Sequence, residues 1–304
     1  MITIVATILT TIAGLMTFAG LLAQRWWFFE ILSNFQLQYA LFFAVMLVFF
    51  AIQKNTTWVL VAVMLLLFTS YTTFSVLFAD HYSTPQEHTV RLISFNLYYK
   101  NNRAEEALLY LASQNADILV LLEVAEDVFE KIPEYFPNYP TLTPQDLTGA
   151  VILSKFPLQS IEAFSLGSRA TTKVVLQTGN DLLMVYALHP PIPLHPTLAR
   201  QRNLQLKGTA QKIAQEPTGA NVFLAGDLNT TPWSLHFRNF LKTSGLKDTR
   251  RGIGLHTSWP NSFPVFMRIP IDHVFVSPHM SVLNRSLGPA IGSDHSPVIV
   301  EISF

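Results

Sequence analysis

Over its first 84 residues the chain carries only four charges, Arg25, Glu30, Lys54 and Asp80, and that deficit bounds what this region can fold into. Three apolar segments fill it: Ile2 to Ala23, Leu37 to Gln53 and Thr57 to Ala79. A hydrocarbon core of ~30 Å needs about 20 helical residues, and the first and third segments exceed that. The second is short unless residues 28–35 lie in the membrane interface and lead into it. Trp26, Trp27 and Tyr39 suit an aromatic belt at the bilayer surface. The first segment lacks the basic start and small-residue cleavage site of a secretory signal. We therefore expect three transmembrane helices within residues 1–80, a polar linker over 81–88 around Pro85, and a second domain over 89–304. Arg25 on one side and Lys54 on the other nearly balance, so loop charge leaves the orientation open.

The remaining 220 residues carry 18 basic and 18 acidic side chains, enough chain to bury a full core. With no basic excess, tight non-specific binding to nucleic acid has little electrostatic footprint. The absence of cysteine excludes disulfides, thiol catalysis and Cys-ligated zinc. Short apolar runs read as strands over 90–95, 118–122, 151–153, 173–176, 182–188, 222–225, 274–276 and 298–302. Helical stretches lie between them over 105–113, 194–214 and 233–241, the last with Pro232 at its start. Strands with interposed helices predict an α+β domain, helices outside and sheets inside.

Polar residues close these strands with a regularity that desolvation alone would penalise. Asn96 follows the first strand, Glu123 the second, and His189 the run ending at Leu188. Val222 to Ala225 runs into Gly226 and then Asp227 and Asn229, two residues apart and on one face if the chain stays extended. Asp272 and His273 precede one late strand, and Asp294 and His295 the last. Several have a structural alternative. Glu123 could cap a helix starting near Ala125, Asn229 could cap the next helix, and alternation turns His273 away from Asp272 toward a structural role.

Taken in order, Ser-Phe-Asn96, Leu-Leu-Glu123, Gly149 to Ser154, Ala-Leu-His189, Gly226-Asp-Leu-Asn229, Ile271-Asp-His273 and Ser293-Asp-His295 resemble the endonuclease/exonuclease/phosphatase (DNase I-like) superfamily. Residues 226–234 and 268–273 further resemble its membrane-anchored, YafD-like bacterial branch. The resemblance implies a four-layer α/β sandwich, two packed mixed sheets flanked by helices. It also implies Mg²⁺, or Mn²⁺ in its place, held by Glu123 and Asp294 with Asn96 as ligand or neighbour. Asp272 would then orient His295, His189 would assist, Asp227 would activate water, and Asn229 would donate to developing charge. Whether His or Asp serves as the base stays open. One position departs from the nuclease pattern: Tyr98 stands where some family nucleases carry an acid.

The expected activity is a membrane-anchored, metal-dependent phosphoesterase with the lipid bilayer and a phosphorylated substrate, a lipid phosphate or a phosphodiester, as its partners. Nucleic acid is a disfavoured alternative, and a non-catalytic membrane scaffold is the third. Trp259, Phe263, Phe266 and Met267 form an apolar loop that either meets lipid or packs on the sheet edge. The resemblance implies a bacterial inner membrane location, multi-pass, with the second domain outside the cytoplasm.

Overall fold

The computed structural model describes residues 1–23, 25–78, 88–145 and 149–304. Of the expected linker, 81–87 lies outside the described residues. The N-terminal third contains α1 (Ile2–Ala19), α2 (Trp27–Ser33), α3 (Gln36–Ile52) and α4 (Thr56–Ser75). α1, continued by a 3-10 turn to Leu22, and α4 are each long and apolar enough to cross a membrane. α2 and α3 form a pair bent by 62°, which makes a third crossing if the two are one span. A small helix, α2, thus precedes the short second segment.

Burial in this region is inverted relative to a bundle folded in water. Thr10, Thr17, Thr69 and Thr73 are buried, while Ile8, Leu15, Val45, Met64 and Leu67 are each more than half exposed. Thr10 and Thr69 donate to the carbonyls of Ala6 and Leu65 one turn back, both at 2.8 Å. Thr10, Thr17 and Thr69, small residues with self-satisfied hydroxyls, let the helices approach, and aliphatic side chains face outward, the pattern an apolar solvent favours. Tyr39, expected in the surface belt, is instead buried with Phe43 and Leu65 where α3 packs on α4.

The second domain holds two six-stranded sheets. The first runs β11 (Ser281–Leu287), β12 (Val298–Ser303), β1 (Thr89–Asn96), β2 (Ile118–Leu122), β4 (Ala150–Ser154), β3 (Thr141–Leu142). The second runs β5 (Leu158–Ser165), β6 (Ala170–Thr178), β7 (Asp181–Ala187), β8 (Asn221–Asp227), β10 (Asp272–Val276), β9 (Lys247–Asp248). β1–β2 and β7–β8 are parallel, bridged by α5 (Ala104–Ser113) and α7 (Pro196–Ile213), and their other neighbours are antiparallel. Leu92, Val120, Ile152, Val185, Phe223 and Val300 fill the space between the sheets. The alternate residues of the same strands face outward to helices. Ile93, Leu119 and Val151 pack on α5 and α6 (Glu126–Tyr135), and Tyr186, Leu224 and Phe275 on α7 and α8 (Leu235–Ser244). The fold is therefore the expected four-layer α+β sandwich.

Sequence reading missed β3, β5, β9 and β11, each for a local reason, and gave α6 only a start near Ala125, where its N-cap lies. β5 is an edge strand exposed along almost its whole length, so no apolar run marks it. A bulge between Val282 and Asn284 breaks the alternation of β11, and β3 and β9 are two residues each. The expected start of α8 is corrected as well. It begins at Leu235, with Ser234 accepting from the His236 amide at 3.1 Å. Trp233 precedes it and donates its indole N–H to the Thr73 carbonyl of α4.

That contact is one of several polar ties between the apolar helices and the second domain. Glu30 of α2 is buried, pairs with the fully buried Arg202 of α7, and accepts from Ser234 Oγ at 2.8 Å. Asn34 Oδ1 accepts from both the amide and the hydroxyl of Thr231, at 3.2 and 2.8 Å. Gln38 Nε2 donates to the carbonyls of Phe266 and Arg268, both at 3.1 Å.

Candidate active site

The topology gathers the strand-end residues at one rim. β1 and β2 end where the antiparallel β12 begins, and β7 and β8 end where the antiparallel β10 begins. Register places Asp272 directly opposite Asp227 across the β10–β8 ladder. Asn96 pairs with Leu122, so Glu123 is the next residue beyond that pair. Gly226 permits the closest approach: a Cβ there, at φ +154°, would lie 1.9 Å from the Leu188 carbonyl oxygen. Gly226→Ala is expected to cost about 2–5 kcal/mol of stability, strain and overpacking together. Denaturant melts of the full chain would measure it.

All eight expected residues come together. Asn96 Nδ2 lies 3.1 Å from Glu123 Oε1 and 3.4 Å from Asp227 Oδ2. His189 Nε2 is 3.5 Å from Glu123 and 3.8 Å from Asp227. His295 bonds Asp272 through Nδ1 at 2.8 Å, and its Nε2 faces Asp227 at 3.8 Å and Asp294 at 3.9 Å. Asp294 Oδ2 accepts from the Trp259 indole at 2.9 Å, while its Oδ1 is buried with no hydrogen-bond partner among the described residues. Ser293 locks the rim by donating to the Asn96 carbonyl and accepting from the His295 amide.

Three details differ from the sequence reading. Asp227 and Asn229 do not share a face of one extended strand. β8 stops at Asp227, the chain turns, and Asn229, at φ +49°, donates its amide to Asp227 Oδ1 at 2.9 Å. Asn229 caps no helix, and one of its side-chain N–H groups is spent on the Pro190 carbonyl at 3.1 Å. Glu123 caps none either: it sits at φ +51°, and Ala125 occupies the N-cap of α6. A non-glycine residue in this region is held there by its surroundings, and such strain concentrates at functional sites. Asn96 behaves as a neighbour rather than a donor of oxygen, because its Oδ1 takes the Tyr98 amide. His273 is structural as expected, buried between Arg250 and the Thr230 carbonyl.

Burial and charge push the two histidines apart. Burial, with Arg169 and His295 adding to it, lowers His189 to about 3, so it is neutral. Burial would also lower His295, but Asp272, with Asp227 and Asp294, outweighs it and raises the imidazole to about 10. Asp227 is pushed up to about 7, chiefly by burial and against the pull of His295. The rim thus holds a neutral imidazole, an imidazolium and a carboxyl group poised near neutrality, the divergence expected of acid–base partners.

These groups line a cleft of about 950 Å³. Its walls include residues that no motif announced. Arg169, from the loop before β6, lays Nη1 over the His189 ring, 3.1 and 3.2 Å from its two nitrogens. Ile31, Asn34 and Phe35 come from the α2–α3 elbow, and Ile192 and Leu194 from the loop after His189. No local pattern signals Arg169. Glu30, beside the elbow, did carry a signal: a charge in an apolar segment marks a functional contact more often than not.

The donor set suits a divalent cation. Ligand atoms of Asp227, Asp272 and His295 all lie within 4.8 Å of one another, although His295 could coordinate only after its imidazolium loses a proton. Glu123 joins them through Asn96, and Asp294 offers an oxygen with no hydrogen-bond partner among the described residues. Several carboxylates against one imidazolium leave an excess of negative charge that a hard, oxygen-seeking ion would neutralise.

The sequence profile of the Endonuclease/Exonuclease/phosphatase family matches residues 93–295. The chain belongs to this family. Its members hydrolyse phosphoester bonds, generally with a divalent metal. No curated protein matches the sequence. Among solved structures, the chain is similar to an endonuclease/exonuclease/phosphatase from Beutenbergia cavernae, with TM-score 0.60 and 19% identity over 72% of each chain. It is also similar to D. rerio TDP2 complexed with single strand DNA product, with TM-score 0.62 and 18% identity over 72% of this chain and 100% of that one. Sphingomyelinase C from Streptomyces griseocarneus matches at TM-score 0.54 and 18% identity over 71% of this chain and 99% of that one. At these identities the structural likenesses speak for the fold alone. The family's two-sheet scaffold accounts for the rim on which the acidic and imidazole groups converge.

Proposed function

We propose that this chain is a membrane-anchored, Mg²⁺-dependent phosphoesterase whose substrate is a phosphate ester carried on an apolar, bilayer-resident molecule. One observation carries the reading: the acidic rim opens into a cleft partly walled by Ile31 and Phe35 of the apolar helices. A substrate entering there meets Ile192, Leu194 and Trp259 on its apolar side and His295 on its charged side. Among proteins of similar fold, one is a sphingomyelinase and another is bound to single strand DNA. The balanced charge of the second domain favours the lipid side of that pair.

Glu123 and Asp294 hold the ion in this reading, with Asn96 keeping Glu123 in place. Bound Mg²⁺ would supply charge neutralisation on the phosphoryl oxygens. Asp272 fixes the His295 tautomer, leaving the Nε2 proton to meet a phosphoryl oxygen. Asp227 accepts the proton of the attacking water, since a base poised near neutrality does this best. Neutral His189 presents an N–H from the opposite flank, and Asn229 keeps one amide N–H for the developing charge.

The test is a panel of lipid phosphates, phospholipids, single-stranded DNA and duplex DNA, run on full-length protein with Mg²⁺ and with EDTA. Mg²⁺-dependent hydrolysis confined to lipid substrates is expected. Preference for DNA would make the chain a nuclease, and no hydrolysis of any substrate would leave a binding scaffold. The apolar loop gives a second prediction. Phe263, Phe266 and Met267 are about half exposed beside the start of α3. Changing all three to Ser should lower turnover of vesicle-bound substrate by about tenfold or more while sparing a soluble phosphodiester. Equal loss on both would reject a lipid-facing loop. We place the chain in a bacterial inner membrane, crossing three times, with the second domain outside the cytoplasm. Protease added to intact spheroplasts should then cleave that domain.

A further inference from the structure

A second concavity, of about 620 Å³, shares no lining residue with the catalytic cleft. It lies between α7, α8 and the connection from α1 to α2. Arg200, Leu204 and Lys207 reach it from one face of α7, at the i, i+4, i+7 spacing that aligns side chains on a helix. Arg25, Trp26 and Trp27 close it from the side of the apolar helices. None of Arg25, Arg200 and Lys207 has a carboxylate partner among the described residues. No Asp or Glu lines the groove, so three like charges converge without an internal counter-ion.

Depth identifies what they await. Trp26 packs on Trp27, Phe28 and Phe29 with ring centroids 5.1–6.4 Å apart, immediately after the candidate span Ile2–Leu22 ends. Aromatic clusters of this kind mark the headgroup level of a bilayer. Trp26 and Leu204 are each about half exposed, so the groove pairs apolar wall with positive charge. We propose that it binds one anionic glycerophospholipid, the headgroup phosphate on Arg200 and Lys207 with Arg25 beside them, and the glycerol and acyl portion along Leu204 and Trp26. A zwitterionic headgroup brings its own cation, which three unpaired cations repel. This inference rests on the membrane placement proposed above and is independent of the hydrolytic reading.

The test uses full-length protein in a neutral detergent, with binding followed by native mass spectrometry and tryptophan fluorescence. The probes are dihexanoyl-phosphatidylglycerol, dihexanoyl-phosphatidylcholine and inorganic phosphate. Saturable binding of the phosphatidylglycerol alone is expected. The double variant Arg200→Gln/Lys207→Gln should weaken it by about 30-fold, the loss of two near-surface cations. Both residues are exposed, so the variant should fold and hydrolyse a soluble phosphodiester as before. Equal binding of phosphatidylcholine, or phosphate binding as tightly as the lipid, would overturn the assignment. So would unchanged phosphatidylglycerol binding by the double variant, which would place the lipid in the catalytic cleft instead. Release of the protein from membranes by alkaline carbonate would refute the membrane placement itself.

Discussion

Replacing Asp227 by Asn is expected to reduce hydrolysis by about 10²–10⁴-fold and, in ion-free protein above neutral pH, to raise the melting temperature. The carboxylate is buried, and its pKa in the folded chain stands near 7, well above the unfolded value. Below about pH 4 the group is neutral in both states and its burial costs little. Between about pH 4 and 7 the unfolded chain ionises it first, so stability falls as pH rises, and above 7 the full penalty is present. Asn is isosteric and neutral, and removes that penalty. His295 works in the other direction. Its folded pKa is raised to about 10, so its contribution to stability is present below the unfolded value of 6.5 and is lost as pH rises through about 10. Calorimetry of wild type and Asp227→Asn across pH, with EDTA, measures both effects. Added Mg²⁺ should stabilise wild type and variant alike, because Glu123 and Asp294, which hold the ion, are present in both and a ligand of the folded state alone shifts the equilibrium toward it. The rate should rise toward a plateau near pH 7 and fall near pH 10, where Asp227 has lost its proton and His295 has not. A bound cation shifts the acidic limb downward, never upward. An Asp227→Asn protein that hydrolyses normally would leave the phosphoesterase reading without its base.

The second large effect lies where the two parts of the chain meet. Arg202 has no exposed side-chain surface, and its charge is matched by Glu30 from α2. Glu30→Gln leaves a buried guanidinium without a counter-charge and is expected to cost about 3–5 kcal/mol. The double replacement Glu30→Met/Arg202→Met removes both charges and should recover most of that stability. Activity should not recover with it. Arg202 Nη1 also donates to the Asn229 carbonyl at 2.9 Å, within the turn that presents Asp227 and Asn229. Thermal melts and kcat on a soluble phosphodiester, measured on the same three proteins in detergent, separate the two roles. If all three melt alike, Glu30 and Arg202 do not hold the halves together. The same contacts imply that residues 88–304 expressed alone would expose Arg202, Thr231 and Trp233 and lose the Ile31–Phe35 wall of the cleft.

Much of the site was legible from the chain because strand ends announce themselves. An apolar run followed by Asn, Glu, His or Asp is a local pattern at Asn96, Glu123, His189 and Asp227, while Asp272, Asp294 and His295 come just before apolar runs; with Asn229 these eight meet at one rim. Local pattern gave no reason for Gly226, where only hydrogen fits beside the Leu188 carbonyl. It failed for Asn229, whose place depends on a turn rather than on strand alternation, and for Arg169, which reaches His189 from a loop with no recurring spacing. It failed again for the exposed edge strand β5, since a strand that buries nothing leaves no hydrophobic trace.

What the sequence alone determined was therefore everything that solvent writes into a single segment: the apolar helices, the buried strands and the polar residues that end them. Periodicity and burial act over a few residues at a time and can be read there. Tertiary structure decided the rest: the burial of Glu30 against Arg202, the α2–α3 elbow in the cleft wall, the opposition of Asp227 to Asp272, and the divergent protonation of His189 and His295. Those depend on distances between residues far apart in the chain, and charge–charge energies in a desolvated site exist only once folding has set those distances.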